Sequence, residues 1–189
     1  MMKKAAIFFA EGYEEIEALT VVDMCRRAGI DMQMVSVTGS DAVTSSHGVC
    51  VKTDIRIDDL NFDSLDMLIL PGGMPGTKNL ERVPLLTAQL KAFAGSGKYV
   101  CAICAAPSVL GHLGILSGKR AVCYPGFEND LTGAQVLNCS CVVDGNVITA
   151  RGMGCAIAFS KAIITALADA ETAQKISDSV IYRVSDDDR

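Results

Sequence analysis

A cysteine at the end of an apolar stretch is the first residue in this chain that could do chemistry. Residues 99–103, with the sequence YVCAI, form a short apolar run typical of a buried parallel strand. Cys104 follows directly, and the small residues and Pro107 after it are typical of the first turn of a helix. A side chain at such a junction points out of the carboxyl edge of a sheet, where open α/β sheets bind ligands. We therefore interpret Cys104 as the nucleophile of a nucleophile elbow in which cysteine replaces serine.

The chemistry of Cys104 depends on its ionisation. The free amides and the positive dipole end of the following helix favour the thiolate, so we predict a lowered pKa for this thiol. The alternative is that Cys104 is a small core residue, because cysteine is among the most buried residue types. The groups that the fold brings to the same sheet edge decide between the two interpretations.

The elements that would position Cys104 follow from hydrophobic periodicity and turn residues. Strands are predicted at 3–10, 32–37, 49–53, 54–57, 65–70, 99–103 and 120–123, with a hairpin of 135–141 and 146–149 turned at Asp144-Gly145. Helices are predicted at 14–28, 77–94, 105–113, 152–168 and 170–182. This alternation indicates βαβ units with right-handed crossovers. We expect one domain over 1–185, a flavodoxin-like three-layer α/β/α sandwich with a mostly parallel sheet and an antiparallel edge hairpin, and a frayed charged tail at 186–189.

Three distant segments should meet at the carboxyl edge of this sheet. Glu17 lies in the first turns of the first helix, and a partly desolvated carboxyl group near Cys104 would have a raised pKa. Such a group could stay protonated at neutral pH and shuttle protons to a substrate. Gly72 and Gly73 follow a buried strand, and the amides of Gly73 and Ala105 form a plausible oxyanion hole. Each group also has a purely structural explanation. Acidic residues in the first turn of a helix stabilise its dipole, and a glycine pair after a strand commonly forms a turn.

The two histidines give no sign of a metal site. Neither His47 nor His112 belongs to a cluster with metal-ligand spacing, so we predict no metal. His47 lies in a predicted turn that could reach the sheet edge, while His112 suits the end of a helix for structural reasons. A dyad between Cys104 and either histidine stays open, although no spacing supports it.

The other cysteines are better explained by packing. Cys101 and Cys104 form a CxxC motif, but Cys101 falls inside the predicted strand, so a redox pair is the less favoured interpretation. Cys139 and Cys141 would face the same side of a strand, where packing also explains them. All eight cysteines are expected to be free thiols, because the chain shows no secretory context.

Composition excludes several classes of function. The net charge is −5 and no basic stripe is present, which argues against a nucleic-acid partner. The apolar run at 5–10 has six residues and stops at Glu11, so it predicts a first strand and no signal peptide. No segment has the length needed to cross a bilayer. We therefore expect a cytoplasmic protein with no membrane partner.

Three motifs, in this order, resemble the DJ-1 branch of the DJ-1/ThiJ/PfpI superfamily. They are EEIE at 14–17, PGG at 71–73 and AICAAP at 102–107, and the resemblance covers almost the whole chain. It implies the flavodoxin-like fold and a homodimer, with the pair Arg26-Arg27 in a helix that the family uses at its dimer interface.

The resemblance also implies roles for individual residues. Cys104 matches the reactive cysteine of the family, Glu17 its partner carboxylate, and Gly73 with Ala105 its backbone amide pair. Two positions depart from the family pattern. Tyr124 stands where many members carry a histidine base, and His47 stands where relatives often carry arginine.

The resemblance implies a cofactor-independent glyoxalase or deglycase. The substrates would be α-oxoaldehydes such as methylglyoxal, or their early adducts on proteins and nucleic acids, and no metal, glutathione or nucleotide would be needed. Cys104 would form a hemithioacetal and Glu17 would move the proton, with Gly72, Tyr124 and His47 as possible pocket residues.

Other functions stay open for the same fold. The alternative is an oxidative-stress sensor or chaperone that uses the same cysteine. A third is an amidohydrolase or peptidase of the PfpI type, which Tyr124 disfavours because a phenol is a weak base near neutral pH. A role in thiamine-thiazole biosynthesis has also been attributed to the family, but no kinase phosphate loop is visible.

Overall fold

A computed structural model describes residues 2–182 of the chain. The predicted tail at 186–189 and the last residues of the predicted domain lie outside this range. Within residues 2–182 the strands are β1 (Lys4–Phe9), β2 (Asp31–Ser36), β3 (Ala42–Thr44), β4 (Cys50–Lys52), β5 (Ile55–Arg56), β6 (Met67–Leu70), β7 (Tyr99–Ile103), β8 (Arg120–Ala121), β9 (Gln135–Val136), β10 (Cys141–Asp144) and β11 (Val147–Ala150). In the same range the α-helices are α1 (Glu15–Arg27), α2 (Gly76–Glu81), α3 (Pro84–Ser96), α4 (Pro107–His112), α5 (Ala156–Leu167) and α6 (Ala170–Ser179).

Seven strands form one central sheet in the order β10-β11-β7-β6-β1-β2-β5. Neighbouring strands run parallel except for β10 and β11, which form the antiparallel hairpin at one edge. The register of β1 and β2 runs from Lys4 opposite Asp31 to Phe9 opposite Ser36. This topology confirms the predicted flavodoxin-like sheet with its antiparallel edge.

The sheet is covered by helices on both faces. Along β1, Ile7 and Phe9 face a core with the apolar sides of α1, α5 and α6, while Phe8 faces a second core with α3 and α4. Because both faces of the sheet are buried, the sequences of β1 and the central strands are continuously apolar. Within residues 2–182, no helix is both long and apolar enough to span a bilayer.

The predicted helix at 77–94 is wrong as a single element. It is two helices, α2 and α3, and the break lies at Val83, which has an extended backbone with φ −92° and ψ 102°. Pro84 explains the break, because the residue before a proline is disfavoured in the α conformation. Pro84 itself is tolerated as the first residue of α3.

Local pairing corrects two further predictions. The predicted strand at 135–141 is two separate strands: β9 pairs in parallel with β8 in a small sheet, and only β10 forms the hairpin with β11. The predicted helix at 152–168 begins later, at Ala156, after a 3-10 turn at Met153–Cys155. The hydrophobic pattern located these segments but did not resolve where short polar turns interrupt them.

The close packing around α4 predicts how a substitution at Gly111 changes the stability of the protein. A Cβ on Gly111 would collide with the backbone carbonyl of Asp130, whereas Gly95, at the exposed end of α3, has open space around it. We expect Gly111→Ala to destabilise the protein by about 1–3 kcal/mol through overpacking. The matched control Gly95→Ala should be stabilising by about 0.5–1 kcal/mol, because alanine is the better helix former. Chemical denaturation followed by circular dichroism measures both, and equal midpoints would contradict the packing described here.

Candidate active site

Cys104 has a strained backbone at the end of β7. Its φ is 66°, in the left-handed region, and Ile181 is the other non-glycine residue with positive φ in residues 2–182. This conformation costs roughly 1–3 kcal/mol for a residue other than glycine. Two hydrogen bonds hold it: the amide of Cys104 donates to Ala150 O at 2.9 Å, and its carbonyl accepts from the amide of Tyr124 at 2.8 Å. Strain of this kind favours a functional thiol over a packing residue.

Glu17 is a fully buried carboxyl group in the first turns of α1. Its Oε2 accepts a hydrogen bond from the amide of Gly72 at 2.8 Å. Its Oε1 is buried without a hydrogen-bond partner, and the side chain lies beside the Cys104 thiol, with which it interacts electrostatically. Burial raises the pKa of Glu17 to about 7, against the smaller lowering effects of the Cys104 thiol and the Gly72 amide. The direction is the one that the sequence predicts for this carboxyl group.

Gly72 is the reason that the thiol and the carboxyl group can meet. A Cβ on Gly72 would lie 2.6 Å from Cys104 Cβ and 2.6 Å from Glu17 Oε2. Any other residue here would therefore push the two side chains apart. Gly72 was predicted as a residue that leaves space for a ligand, and in the structure that space is filled by the pair itself.

The amides of Gly73 and Ala105 both lie beside the sulfur of Cys104. Each lowers the pKa of that thiol. Gly73 has a φ of 90°, and a Cβ there would meet the backbone of Tyr13 and Glu14, so only glycine brings this amide into place. Two converging amides beside a nucleophile can stabilise a developing oxyanion.

The predicted lowering of the Cys104 pKa is wrong. Burial and then the interaction with Glu17 raise the pKa of this thiol to about 12, and the amides of Ala105 and Gly73 only partly oppose them. The helix contributes little, because α4 has six residues and begins at Pro107, three residues beyond the cysteine. The raised pKa favours the thiol form of Cys104 next to the Glu17 carboxyl group.

Comparison with known proteins agrees with this geometry. The family model described as "DJ-1/PfpI family" matches residues 3–166. The chain belongs to the DJ-1/PfpI family. The Drosophila melanogaster protein dj-1beta is 34% identical over 183 residues, which cover 96% of this chain and 98% of that protein. The crystal structure of Drosophila DJ-1beta superposes with a TM-score of 0.93 at 33% identity, covering 97% of this chain and 100% of that one.

Two further relatives are covered to different extents by the match. Protein DJ-1 homolog B of Arabidopsis thaliana is 33% identical over 183 residues, and the match covers 96% of this chain but 42% of that protein. A Pyrococcus abyssi protein named as a deglycase is 31% identical over 156 residues, covering 80% of this chain and 91% of that one.

The histidines of this DJ-1/PfpI protein are paired with carboxylates. His47 Nδ1 is hydrogen-bonded to Glu15 at 3.1 Å and forms an ion pair with Glu14 at 3.5 Å. These three residues are the one group in the described part of the chain whose possible metal-ligand atoms lie within 4.8 Å of one another, and their pairing explains the proximity. His112 is hydrogen-bonded to Glu81 at 2.7 Å. Neither ring is hydrogen-bonded to Cys104, so the structure brings no Cys-His dyad together.

Tyr124 contributes to the site mainly through its backbone. Its amide holds the Cys104 carbonyl, while its ring is half exposed and lies against Gly152, where a Cβ would be 3.3 Å from the ring. Cys101 is fully buried in β7, as expected for a core residue. The sequence reasoning missed the supports of the elbow, Ala150 and the Tyr124 amide, because their hydrogen bonds join segments far apart in the chain.

The raised pKa of Glu17 makes a prediction about stability and pH. An acid whose pKa is raised on folding stabilises the protein at low pH, and this contribution is lost as the pH rises from about 4.5 through about 7. Relative to Glu17→Gln, which keeps the oxygen that faces Gly72, the wild type should lose roughly 1–3 kcal/mol over this interval. Thermal unfolding between pH 4.5 and 8 measures the difference.

Glu15 is the matched control. Its pKa is lowered, because its hydrogen bonds, with His47 among the partners, outweigh burial. Glu15→Gln should therefore change the pH dependence in the opposite sense. A parallel pH profile for wild type and Glu17→Gln would show that the Glu17 carboxyl group does not titrate as described.

Proposed function

We propose that this protein is a cofactor-independent enzyme of the glyoxalase or deglycase type, acting on α-oxoaldehydes such as methylglyoxal or on their early adducts. The observation that carries the proposal is the contact of a strained Cys104 thiol with a fully buried carboxyl group, Glu17. Membership of the DJ-1/PfpI family and the relative named as a deglycase support it. The roles of the individual residues are part of the proposal.

In the first step Glu17 acts as a general base. Its pKa of about 7 leaves a large share of the carboxylate form at neutral pH, next to the Cys104 thiol. As the sulfur bonds to the aldehyde carbon, the S–H proton passes to Glu17, and the aldehyde oxygen becomes an oxyanion that the amides of Gly73 and Ala105 stabilise. Return of a proton to that oxygen gives the hemithioacetal. A thiol with a high pKa can thus react even though the thiolate is not populated beforehand.

In the second step Glu17 moves a proton between adjacent carbons. It removes the proton from the carbon that carries sulfur, which forms an enediol, and returns a proton to the neighbouring carbon. The product is a thioester of the 2-hydroxy acid on Cys104, and water hydrolyses it to release the acid and the free thiol. The overall reaction is an internal oxidation and reduction of the substrate plus water, so it consumes no external electron carrier.

The wider context of the protein is also proposed from the family. We infer a homodimer that uses α1, where Ile16 is half exposed, and a cytoplasmic location. Arg26 and Arg27, expected near such an interface, form ion pairs within the chain, with Asp54 and Asp23 respectively at 2.6 Å each. A glycated nucleic acid would be a substrate only through its adduct, given the negative charge of the chain.

The competing functions are less well supported by the site. A peroxide sensor needs an accessible thiolate, whereas burial and Glu17 raise the pKa of the Cys104 thiol. A peptidase needs a base such as histidine at the cysteine, and both histidines are hydrogen-bonded to carboxylates elsewhere. The thiol and carboxyl pair fits proton transfer better than either.

Removal of either member of the pair should abolish turnover of methylglyoxal. We expect Cys104→Ser to lower kcat/KM by about 10³-fold or more, because the nucleophile is lost. Glu17→Gln should lower it by about 10²–10⁴-fold, because the proton carrier is lost while its oxygen toward Gly72 remains. Formation of the 2-hydroxy acid, followed by chromatography, measures both variants.

The control is Cys50→Ser, which replaces an exposed thiol on β4. Its activity should equal that of the wild type. Wild-type rates in the Cys104 and Glu17 variants would overturn the proposal, and mass spectrometry after mild peroxide would then test the sensor function by asking whether Cys104 is oxidised selectively.

Tyr124 gives a separate prediction about the proton carrier. Because its amide supports the elbow and its phenol is not needed as a base, Tyr124→Phe should retain kcat within about threefold and keep the same pH profile. A loss of 10²-fold or more would instead place the phenol in the proton-transfer path, in the range expected for a general acid or base.

A further inference from the structure

We propose that Cys139, Cys141 and Cys155 form a binding site for one soft metal ion, Cu(I), separate from Cys104. All three thiols line one cavity of about 490 Å³ between the start of β10 and the start of α5. This proposal does not depend on the proposed enzyme activity.

The backbone brings the three side chains to one cavity beside the sheet edge. Cys139 and Cys141 are two residues apart, and the carbonyl of Ser140 between them accepts a hydrogen bond from the amide of Arg151 at 3.0 Å. That bond continues the pairing of β10 with β11 to Ser140, and the cysteines on either side of Ser140 line the same cavity. The Cys139 sulfur lies 3.7 Å from the carbonyl oxygen of Cys141. Cys155 approaches from a separate segment, the turn before α5.

The three thiols share one cavity. Both Cys139 and Cys155 act electrostatically on Cys141, with Cys139 the stronger neighbour. Cys139 is exposed, while Cys141 and Cys155 are half buried, which provides an entrance from solvent and a partly shielded interior. Cys155 is the N-cap of α5, a twelve-residue helix, so the positive end of the helix dipole offsets the charge of metal-bound thiolates.

The donor set indicates the class of metal. Among residues 2–182, the other residues that line the cavity, such as Gly154 and Tyr182, include no imidazole and no carboxylate. Hard cations such as Mg²⁺ and Ca²⁺ need oxygen ligands, and structural Zn²⁺ sites use four protein ligands. Three thiols with no fourth donor in the described part of the chain fit Cu(I), which soft thiolate ligands select.

Binding requires a small rearrangement of side chains. The three sulfur atoms do not all lie within 4.8 Å of one another as the cavity stands. Cys139 is exposed, so its side chain can change rotamer with little loss of packing, at the expense of its hydrogen bond to the Cys141 carbonyl. On binding, each coordinating thiol releases its proton to solvent and contributes a sulfur-to-metal bond.

The proposed metal site is distinct from the site of Cys104. Ile103, Ala150 and Cys141 are paired side by side across β7, β11 and β10. Two strand spacings separate the outer pair, which puts Cys141 about 10 Å from the end of β7. A metal bound there would not share ligands with Cys104 or Glu17.

Competition with the chromophoric chelator bathocuproine disulfonate tests the proposal on the full chain, reduced and free of oxygen. We expect the Cys104→Ser protein to take one Cu(I) tightly, because its three proposed ligands are intact. Adding the triple change Cys139→Ser, Cys141→Ser and Cys155→Ser should lower the Cu(I) affinity at least 100-fold. Cys50→Ser in the same background is the matched control, and it should leave the affinity unchanged.

A single substitution distinguishes the loss of a metal ligand from unfolding of the protein. Cys139 is exposed, so Cys139→Ser should keep the circular dichroism spectrum and thermal midpoint of the parent while binding Cu(I) at least 10-fold more weakly. Parent-like affinity in Cys139→Ser or in a folded triple variant would overturn the proposal. So would loss of affinity in the Cys50 control, or a parent protein that holds Zn²⁺ at these thiols but not Cu(I).

Discussion

The buried contact between the Glu17 carboxyl group and the Cys104 thiol constrains the structure around it. The buried carboxyl group has no contact with water, and one amide hydrogen bond and a neighbouring thiol replace its hydration. Loss of hydration disfavours the charged form, so the pKa of Glu17 is raised to about 7. For the two side chains to touch, the loop after β6 must carry no side chain at Gly72. It must also pack directly on the start of α1, and the amide of Glu14 donates to the carbonyl of Gly72 at 3.0 Å.

The strained backbone at Cys104 needs support from segments remote in the chain. Ala150 at the end of β11 and Tyr124 after β8 each supply one hydrogen bond to it. Neither bond uses a side chain, so substitution at these positions is compatible with the elbow as long as the backbone path is kept. This explains how a tyrosine can stand where the family resemblance leads one to expect histidine without loss of the site's shape.

The sequence predicted those features that depend on local pattern. The apolar runs at 65–70 and 99–103 located buried strands, and parallel pairing brought Glu17, Gly73 and Cys104 to one edge. The pKa of Cys104 could not be predicted in the same way. A helix N-terminus is visible in a sequence, but the desolvation of a thiol and the approach of a carboxyl group from 87 positions earlier are tertiary effects.

The direction of that pKa shift changes the interpretation of the site. A thiolate stabilised by a helix would be reactive toward any electrophile, including peroxide, at all times. A thiol that shares its proton with a carboxylate reacts when a substrate accepts the sulfur and the carboxylate accepts the proton in the same event. In the proposed mechanism, burial of Glu17 would thus provide selectivity as well as catalysis, because an oxidant that forms no oxyanion would not be stabilised by the amides of Gly73 and Ala105.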